Sequence, residues 1–271
     1  MPELPEVETT VRGLARVLGG ARLMRVAVNR PDMRKPFPPG LVQALTGARI
    51  TQLSRRAKYG VLHTDRGHAM IFHLGMSGRW RIDPEHDDPH DHLVLETDAH
   101  RLALTDPRRF GFVDLHDADR LDTYPAFAAM GPEPLGDSLS ALHLRSAFTG
   151  RKQPVKVMLL DQRIVAGLGN IYVCEALWRA RIHPRRPAGR VSLVALERLV
   201  PAIRAVLAEA IADGGSTLRD YAAPDGELGY FATRFDAYGR EGEPCRREDG
   251  GTIRRFAQGG RSTWYCPRCQ R

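Results

Sequence analysis

Leu4, Val7, Val11, Leu14 and Leu18 recur at steps of three and four, the spacing of one buried helix face. Pro5 falls in the first turn, where a missing N–H costs nothing. From about residue 22 to 115 the period changes to short apolar runs between turns: RLMRVAVN, ARITQLSR, YGVLHT, AMIFHL, RWRID, HLVLET, RLALTD and FGFVDL. Eight such runs predict a β-sandwich or barrel. GPEPLGD, residues 131–137, is a Gly/Pro-rich break and the expected domain boundary. Helical spacing then returns, over 138–148 and 154–160, and after a turn at 161–167 from Gly169-Asn170 to about Ala180. Ser192 caps a further helix with Leu193, Leu196 and Val200 on one face. Pro201 is expected to break or kink it before Ile203, Val206, Leu207 and Ile211 continue the stripe. A polar loop follows over 214–230, then a small cysteine-bearing module.

The expected class is therefore α+β. An N-terminal helix and β-sandwich span 1–130, a linker 131–137, a helical domain 138–230 and a terminal module 231–271. With 42% hydrophobic and 27% charged residues over 271, the chain is globular, and no apolar run approaches the roughly 20 residues of a membrane span. MPELPEVETT lacks the basic and apolar regions of a signal peptide, and four cysteines are too few for a disulfide scaffold. A cytoplasmic setting is expected. The net charge is +8, carried by 36 Arg and only 4 Lys (Lys35, Lys58, Lys152, Lys156), so each lysine stands out. Residues 254–271 hold five Arg and no acid, which fits either a polyanion partner or a solvated basic tail.

Four segments hold candidate chemistry. Pro2 follows the initiator Met, and its removal would expose a secondary amine with a reference pKa of about 8, well below lysine. A partly neutral amine attacks aldehyde-like carbon to form an iminium, and Glu3 and Glu6 beside it can move protons. An ordinary helix start with acids complementing the dipole has the same residues. DPRRFG (106–111) and HLGMSG (73–78) are tight turns carrying two Arg, Phe110 and Met76, suited to phosphate contact and to wedging between bases, or to plain hairpins with Phe110 and Met76 in the core. DQRIVAGLGNIY (161–172) opens a helix after glycines and, with Lys156 upstream, offers a phosphate clamp. Cys245 and the pair Cys266-Pro-Arg-Cys269 have zinc-ribbon spacing. The first knuckle lacks its second cysteine, leaving Glu248, Asp249, water or nothing as fourth ligand. Cys174 shares an apolar stripe with Ile171 and Trp178, where a buried thiol is usual.

Taken in order, MPELPEVET, RRAKYG (55–60), HLGMSG, DPRRFG, DQRIVAGLGNIY and QGGRSTWYCPRC (258–269) resemble formamidopyrimidine-DNA glycosylases, bacterial 8-oxoguanine repair enzymes, from residue 2 to residue 269. The resemblance implies a β-sandwich domain with an N-terminal helix, a helix–two-turn–helix domain and a zinc-finger β-hairpin. It also implies a glycosylase and AP lyase acting on oxidised purines through an N-terminal proline Schiff base and β,δ-elimination. Pro2 matches the nucleophile, Glu3 the acid/base partner, Glu6 a supporting acid and Lys58 the family's catalytic lysine. Met76, Arg108 and Phe110 match the residues that fill the void left by a flipped base. His90, Arg109, Lys152, Asn170 and Arg261 match phosphate contacts, and Arg261 is also linked to the final elimination. The loop 217–230 corresponds to the one that closes over the extruded base.

The resemblance further implies one structural zinc. The family pattern has cysteine where this chain has Glu248-Asp249; Asp249 keeps the sixteen-residue spacing to Cys266, so Cys245, Asp249, Cys266 and Cys269 are the expected ligands. Damaged duplex DNA is the expected partner, met by a monomer with no obligate protein partner and no membrane, at the bacterial nucleoid. The alternatives are an endonuclease VIII-like enzyme for oxidised pyrimidines, and a damaged-DNA-binding protein without catalysis. MPELPEV and DPRRFG favour the purine branch, and Pro2, Glu3 and Lys58 together argue against a pure binder.

Overall fold

The computed structural model describes residues 2–216, 223, 224, 226 and 229–271. The chain forms two compact units, 1–128 with 213–230, and 129–212 with 231–271.

In the first unit, helix α1 (Leu4–Leu18) has the bounds its apolar spacing predicts. All eight apolar runs form strands: β1 (Arg25–Val28), β2 (Ile50–Arg56), β3 (Tyr59–Thr64), β4 (His68–His73), β5 (Arg79–Ile82), β6 (Asp91–Glu96), β7 (Arg101–Thr105) and β8 (Phe112–Asp117). They pair antiparallel into two four-stranded sheets, ordered β1-β6-β7-β5 and β2-β3-β4-β8. Strand alternation turns Leu93, Leu95, Leu102 and Leu104 of one sheet, and Leu62, Met70 and Phe72 of the other, into one core with Val7, Val11, Leu14 and Leu18 of α1. Burying each such side chain is worth about 1.5–3 kcal/mol, so the shared core makes the two sheets a sandwich.

β3 and β4 are apolar on their other face too. Val61, Ala69 and Ile71 pack there against Tyr124, beneath a 3-10 turn (Ala118–Thr123) and the short helix α3 (Pro125–Ala128). Neither α3 nor α2 (Leu41–Leu45) was expected, because four or five residues are too few to show a helical period. Gly60, at the start of β3, is a packing requirement: a Cβ there would lie 2.1 Å from the Phe72 ring.

The second unit contains α4 (Ala141–Phe148), α5 (Val155–Leu159), α6 (Asn170–Arg179) and α7 (Leu193–Ala212). Pro201 does not break α7, which continues for eleven residues beyond it. Its buried stripe, including Leu196, Leu199, Ile203, Val206 and Leu207, packs on α4 and α6, and that burial outweighs the ~3 kcal/mol cost of an interior proline. Segment 131–137 is no free tether. Gly131 N–H donates to Gln162 O, and Arg204 Nη2 donates to the Gly136 carbonyl at 2.9 Å. Strands β9 (Arg254–Gln258) and β10 (Arg261–Tyr265) form the terminal hairpin. Its two-residue turn, Gly259-Gly260, has φ of 56° and 71°, left-handed values that glycine adopts freely.

The polar loop is expected with the helical domain, but its described residues, 213–216, 223, 224, 226, 229 and 230, pack with the first unit. Ser216 donates from both N–H and hydroxyl to Glu6 Oε1 at 2.9 Å, and Ile82 N–H donates to Pro224 O. Such distant pairings leave no periodic trace. No described helix is long and apolar enough to cross a membrane.

Candidate functional site

In the first unit, Pro2, Glu3 and Glu6 are all buried at the head of α1. Glu3 is the N-cap, and a reciprocal capping box joins it to Glu6, whose Oε2 accepts the Glu3 N–H at 2.8 Å. With Ser216 on its other oxygen, Glu6 is held by bonds on both sides.

Lys58, only 6% exposed, lies in the two-residue turn between β2 and β3. Its neighbour Ala57 has φ of 53°, a left-handed conformation that costs a non-glycine residue about 1–2 kcal/mol. Arg55 holds the turn, donating from Nη1 to Ala57 O at 2.9 Å and from Nε to Glu8 Oε2 of α1 at 2.8 Å. Burial raises the Glu8 carboxyl, but its bonds to Arg55 and Arg12 prevail and hold it below the usual range. Lys58 also acts on His73: burial, then the Lys58 and Arg34 charges, push that imidazole down to about 4. His73 Nδ1 consequently accepts, from Gly75 N–H at 3.0 Å.

HLGMSG and DPRRFG meet back to back. A Cβ on Gly75 would lie 2.3 Å from Gly111 N, so glycine is obligatory for this backbone approach. Asp106, wholly buried, clamps the pair: Oδ1 accepts from Ser77 Oγ at 2.6 Å and Oδ2 from Gly111 N–H at 2.8 Å. The Asp106 backbone N–H donates to His90 O, bringing His90 to the same clamp. Arg108 and Arg109 are exposed, as are Met76 at 39% and Phe110 at 42%. The Arg108 guanidinium lies 4.7 Å from the centre of the Phe110 ring. Two apolar side chains held out in water beside arginines on a rigid base are not a hairpin core. Asp106, Arg55 and Glu8 stand inside or beside these motifs, but their roles depend on tertiary partners that local spacing does not show.

In the second unit, Lys152 and Arg261 are exposed and Asn170 is half-buried in the first turn of α6. Asn170 Nδ2 donates to Ser262 O at 3.0 Å, fixing Arg261 of the hairpin beside the helix. Lys156 does not offer its charge to a phosphate. It is fully buried and donates to Ser262 O at 3.1 Å and Thr263 Oγ1 at 2.7 Å. Another unforeseen strut is Glu175 of α6, which accepts the backbone N–H groups of Asp236, Ala237 and Tyr238 at 2.7–2.9 Å. Cys174 is buried.

Cys245, Asp249, Cys266 and Cys269 place their ligand atoms within 4.8 Å of one another. Cys245 and Cys269 sulfurs are 4.0 Å apart, and Asp249 Oδ2 is 3.7 Å from the Cys266 sulfur. A tetrahedron with zinc–sulfur bonds of about 2.3 Å has edges of about 3.8 Å, so the cluster fits the ion. Without a cation, burial and the neighbouring sulfurs push the Cys269 thiol up to about 12, against the bond from Arg247; a divalent ion reverses that balance. Glu248 absorbs the additional residue of the knuckle with φ of 53°, leaving its own side chain exposed and Asp249 turned to the sulfurs. Gly251 must lack a side chain, since a Cβ would lie 2.6 Å from Cys266 Sγ. Arg247 stacks on Trp178 at 3.7 Å and donates to the Trp178 and Arg179 carbonyls, capping α6 with the knuckle. The module carries one structural zinc ion.

Three family profiles match the chain: Formamidopyrimidine-DNA glycosylase N-terminal domain over residues 1–113, Formamidopyrimidine-DNA glycosylase H2TH domain over 130–222, and Zinc finger found in FPG and IleRS over 242–271. A formamidopyrimidine-DNA glycosylase of Erythrobacter litoralis is 72% identical over 271 residues, and one of Novosphingobium aromaticivorans 69% over 272, each covering all of both chains. Among solved structures, the MutM (Fpg) protein of Thermus thermophilus has a TM-score of 0.89 at 39% identity, covering 99% of this chain and 98% of that one. Lactococcus lactis Fpg in complex with abasic-site DNA has a TM-score of 0.92 at 34% identity, covering both chains fully. The chain belongs to the formamidopyrimidine-DNA glycosylase family.

Proposed function

We propose that the protein is a base-excision DNA glycosylase and AP lyase that removes oxidised purines from duplex DNA. The observation that carries this reading is Pro2, buried with Glu3 at the capped head of α1 in a chain of this family. After removal of Met1, the proline nitrogen attacks C1′ of the damaged nucleotide. The C1′–N9 bond breaks, and the purine leaves with the bonding electrons and takes up a proton. The amine gives up its proton, the C1′–O4′ bond opens onto a protonated O4′, and the sugar is held as an iminium. That cation acidifies C2′–H. Loss of the proton, for which Glu3 is the acid/base partner, expels the 3′ phosphate, and a second elimination expels the 5′ phosphate. Glu6, bonded to Glu3 N–H and Ser216, positions the helix head. Lys58 supplies a charge from a turn pinned to α1 through Arg55 and Glu8.

Met76, Arg108 and Phe110 fill the space an extruded base leaves, supported by the rigid Asp106 clamp. His90, Arg109, Lys152, Asn170 and Arg261 contact phosphates, and Arg261 also assists the final elimination. Asp249 completes the zinc ligands with Cys245, Cys266 and Cys269. Residues 217–222, 225, 227 and 228 of the loop that corresponds to the lesion-covering one lie outside the described residues. The enzyme works as a monomer at the nucleoid, since one chain carries Pro2, Glu3, Lys58 and the base-void and phosphate-contact residues together.

Borohydride trapping on 8-oxoguanine duplex, read by mass spectrometry, tests the assignment. The expected adduct joins the sugar to Pro2, and a form retaining Met1 should bind DNA yet fail to trap. Trapping at full yield with Met1 retained refutes it; preference for thymine glycol over 8-oxoguanine refutes the purine assignment.

A further inference from the structure

Between Ala176 and Leu196 the chain has five arginines and no acid. Arg179 is paired, with Glu209 at 2.8 Å and Asp236 at 3.6 Å. The loop that follows α6 is different. His183, Arg185, Arg186, Pro187 and Arg190 line an open cavity of about 500 Å³. Among the described residues, none of these three guanidinium groups has a carboxylate partner.

The loop is built rather than loose. Arg185 lies 3.9 Å above the Phe256 ring, and His183 packs on Tyr265 at 4.8 Å with Nδ1 accepting Arg185 N–H. Val155 N–H donates to Arg186 O, Ala188 N–H to Gln153 O, and Gln258 Nε2 to Pro184 O. These bonds fasten the cavity to the loop that carries exposed Arg151 and Lys152, and to the hairpin that carries Arg261. The positive field is felt locally: after burial, the Arg185 and Arg186 charges lower the His183 pKa. Three unpaired guanidinium groups around one cavity repel each other, and a tetrahedral oxyanion relieves that repulsion through several charge-assisted bonds.

We propose that this cavity is a second phosphate-binding site of the helical unit, taking a backbone phosphate of duplex DNA that flanks the lesion-bound segment. The inference rests on the protein's reading as a duplex-DNA enzyme. Continuity with Lys152 and Arg261 favours a backbone phosphate over a free ion. The site adds a sequence-independent contact, so it raises affinity for long DNA without entering the chemistry.

An Arg185→Gln/Arg190→Gln variant tests it, against Arg185→Lys/Arg190→Lys, which keeps the charge. Affinity is measured against salt on two lesion duplexes, one just covering the lesion site and one several helical turns longer. The Gln variant should lower the slope of log affinity against log salt by about one unit on the long duplex and leave the short one unchanged. Cleavage of the short duplex should stay at the wild-type rate, and the Lys variant should restore the slope. An unchanged slope on the long duplex, or an equal fall on both, overturns the proposal. Retained zinc and unchanged short-duplex cleavage verify folding. Failure of the wild-type protein to cleave either lesion duplex would instead reject the enzymatic reading, a separate outcome.

Discussion

Removing the Asp106 carboxylate is the sharpest probe of how the first unit presents its exposed side chains. Asp106 is wholly buried and accepts from Ser77 Oγ at 2.6 Å and Gly111 N–H at 2.8 Å. Hydrogen bonds to a charged acceptor contribute about 1.5–3 kcal/mol each, and removing the buried charge returns part of its desolvation cost. Asp106→Ala should therefore destabilise the unit by about 2–4 kcal/mol. Asp106→Asn should cost about half of that, because its oxygen can serve Gly111 while Ser77 Oγ turns acceptor. A double-mutant cycle with Ser77→Ala should give a coupling of about 1–2 kcal/mol. Urea unfolding gives the global values, and hydrogen exchange at Gly111 reports the clamp directly. Loss of about 3 kcal/mol corresponds to about a hundredfold loss of protection there. Since Met76 and Phe110 lie on the two clamped turns, lesion-duplex affinity should fall with the same rank order. An Asp106→Ala protein with wild-type Gly111 protection and lesion affinity would refute the clamp.

Arg109→Ala and Arg261→Ala should each weaken damaged and undamaged duplex alike and lower the salt slope by about one unit, whereas a loss confined to lesion DNA at constant slope would exclude a phosphate role. Asp249→Ala should release zinc, and Asp249→Cys should retain it longer against a chelator than the wild type; equal retention in all three, by metal analysis, would exclude Asp249 as a ligand. The His73 imidazole, held down to about 4 against an ordinary 6.5, makes the unfolded chain bind the additional proton between those values. Stability is thus full above pH 6.5 and declines as pH falls towards 4, by about 3 kcal/mol in order of magnitude. His73→Gln should flatten that part of the urea-midpoint profile, and an unaltered slope would contradict it.

Local chemistry was legible from residues alone. Helix α1 and the eight strands follow from apolar period, and α6 from the glycines before Asn170, because these depend on neighbours within a few positions. The order of short motifs along the chain carried the family, and the Cys spacing carried the zinc. Tertiary structure decided what depends on distant partners. The strand order β1-β6-β7-β5 brings together strands far apart in the chain, and periodicity is silent about which edges pair. Pro201 stays within a helix because two other helices bury its stripe, an energy no local rule contains. Lys156 reads as a free cation until a hairpin more than a hundred residues later accepts its hydrogen bonds. The described residues of 213–230 join the first unit, where Glu6 accepts from Ser216 N–H and Ile82 N–H donates to Pro224 O. Spacing to Cys266 already favoured Asp249 over Glu248 as the fourth ligand; what the folded backbone adds is the left-handed turn at Glu248 that leaves its side chain exposed while Asp249 lies beside the sulfurs.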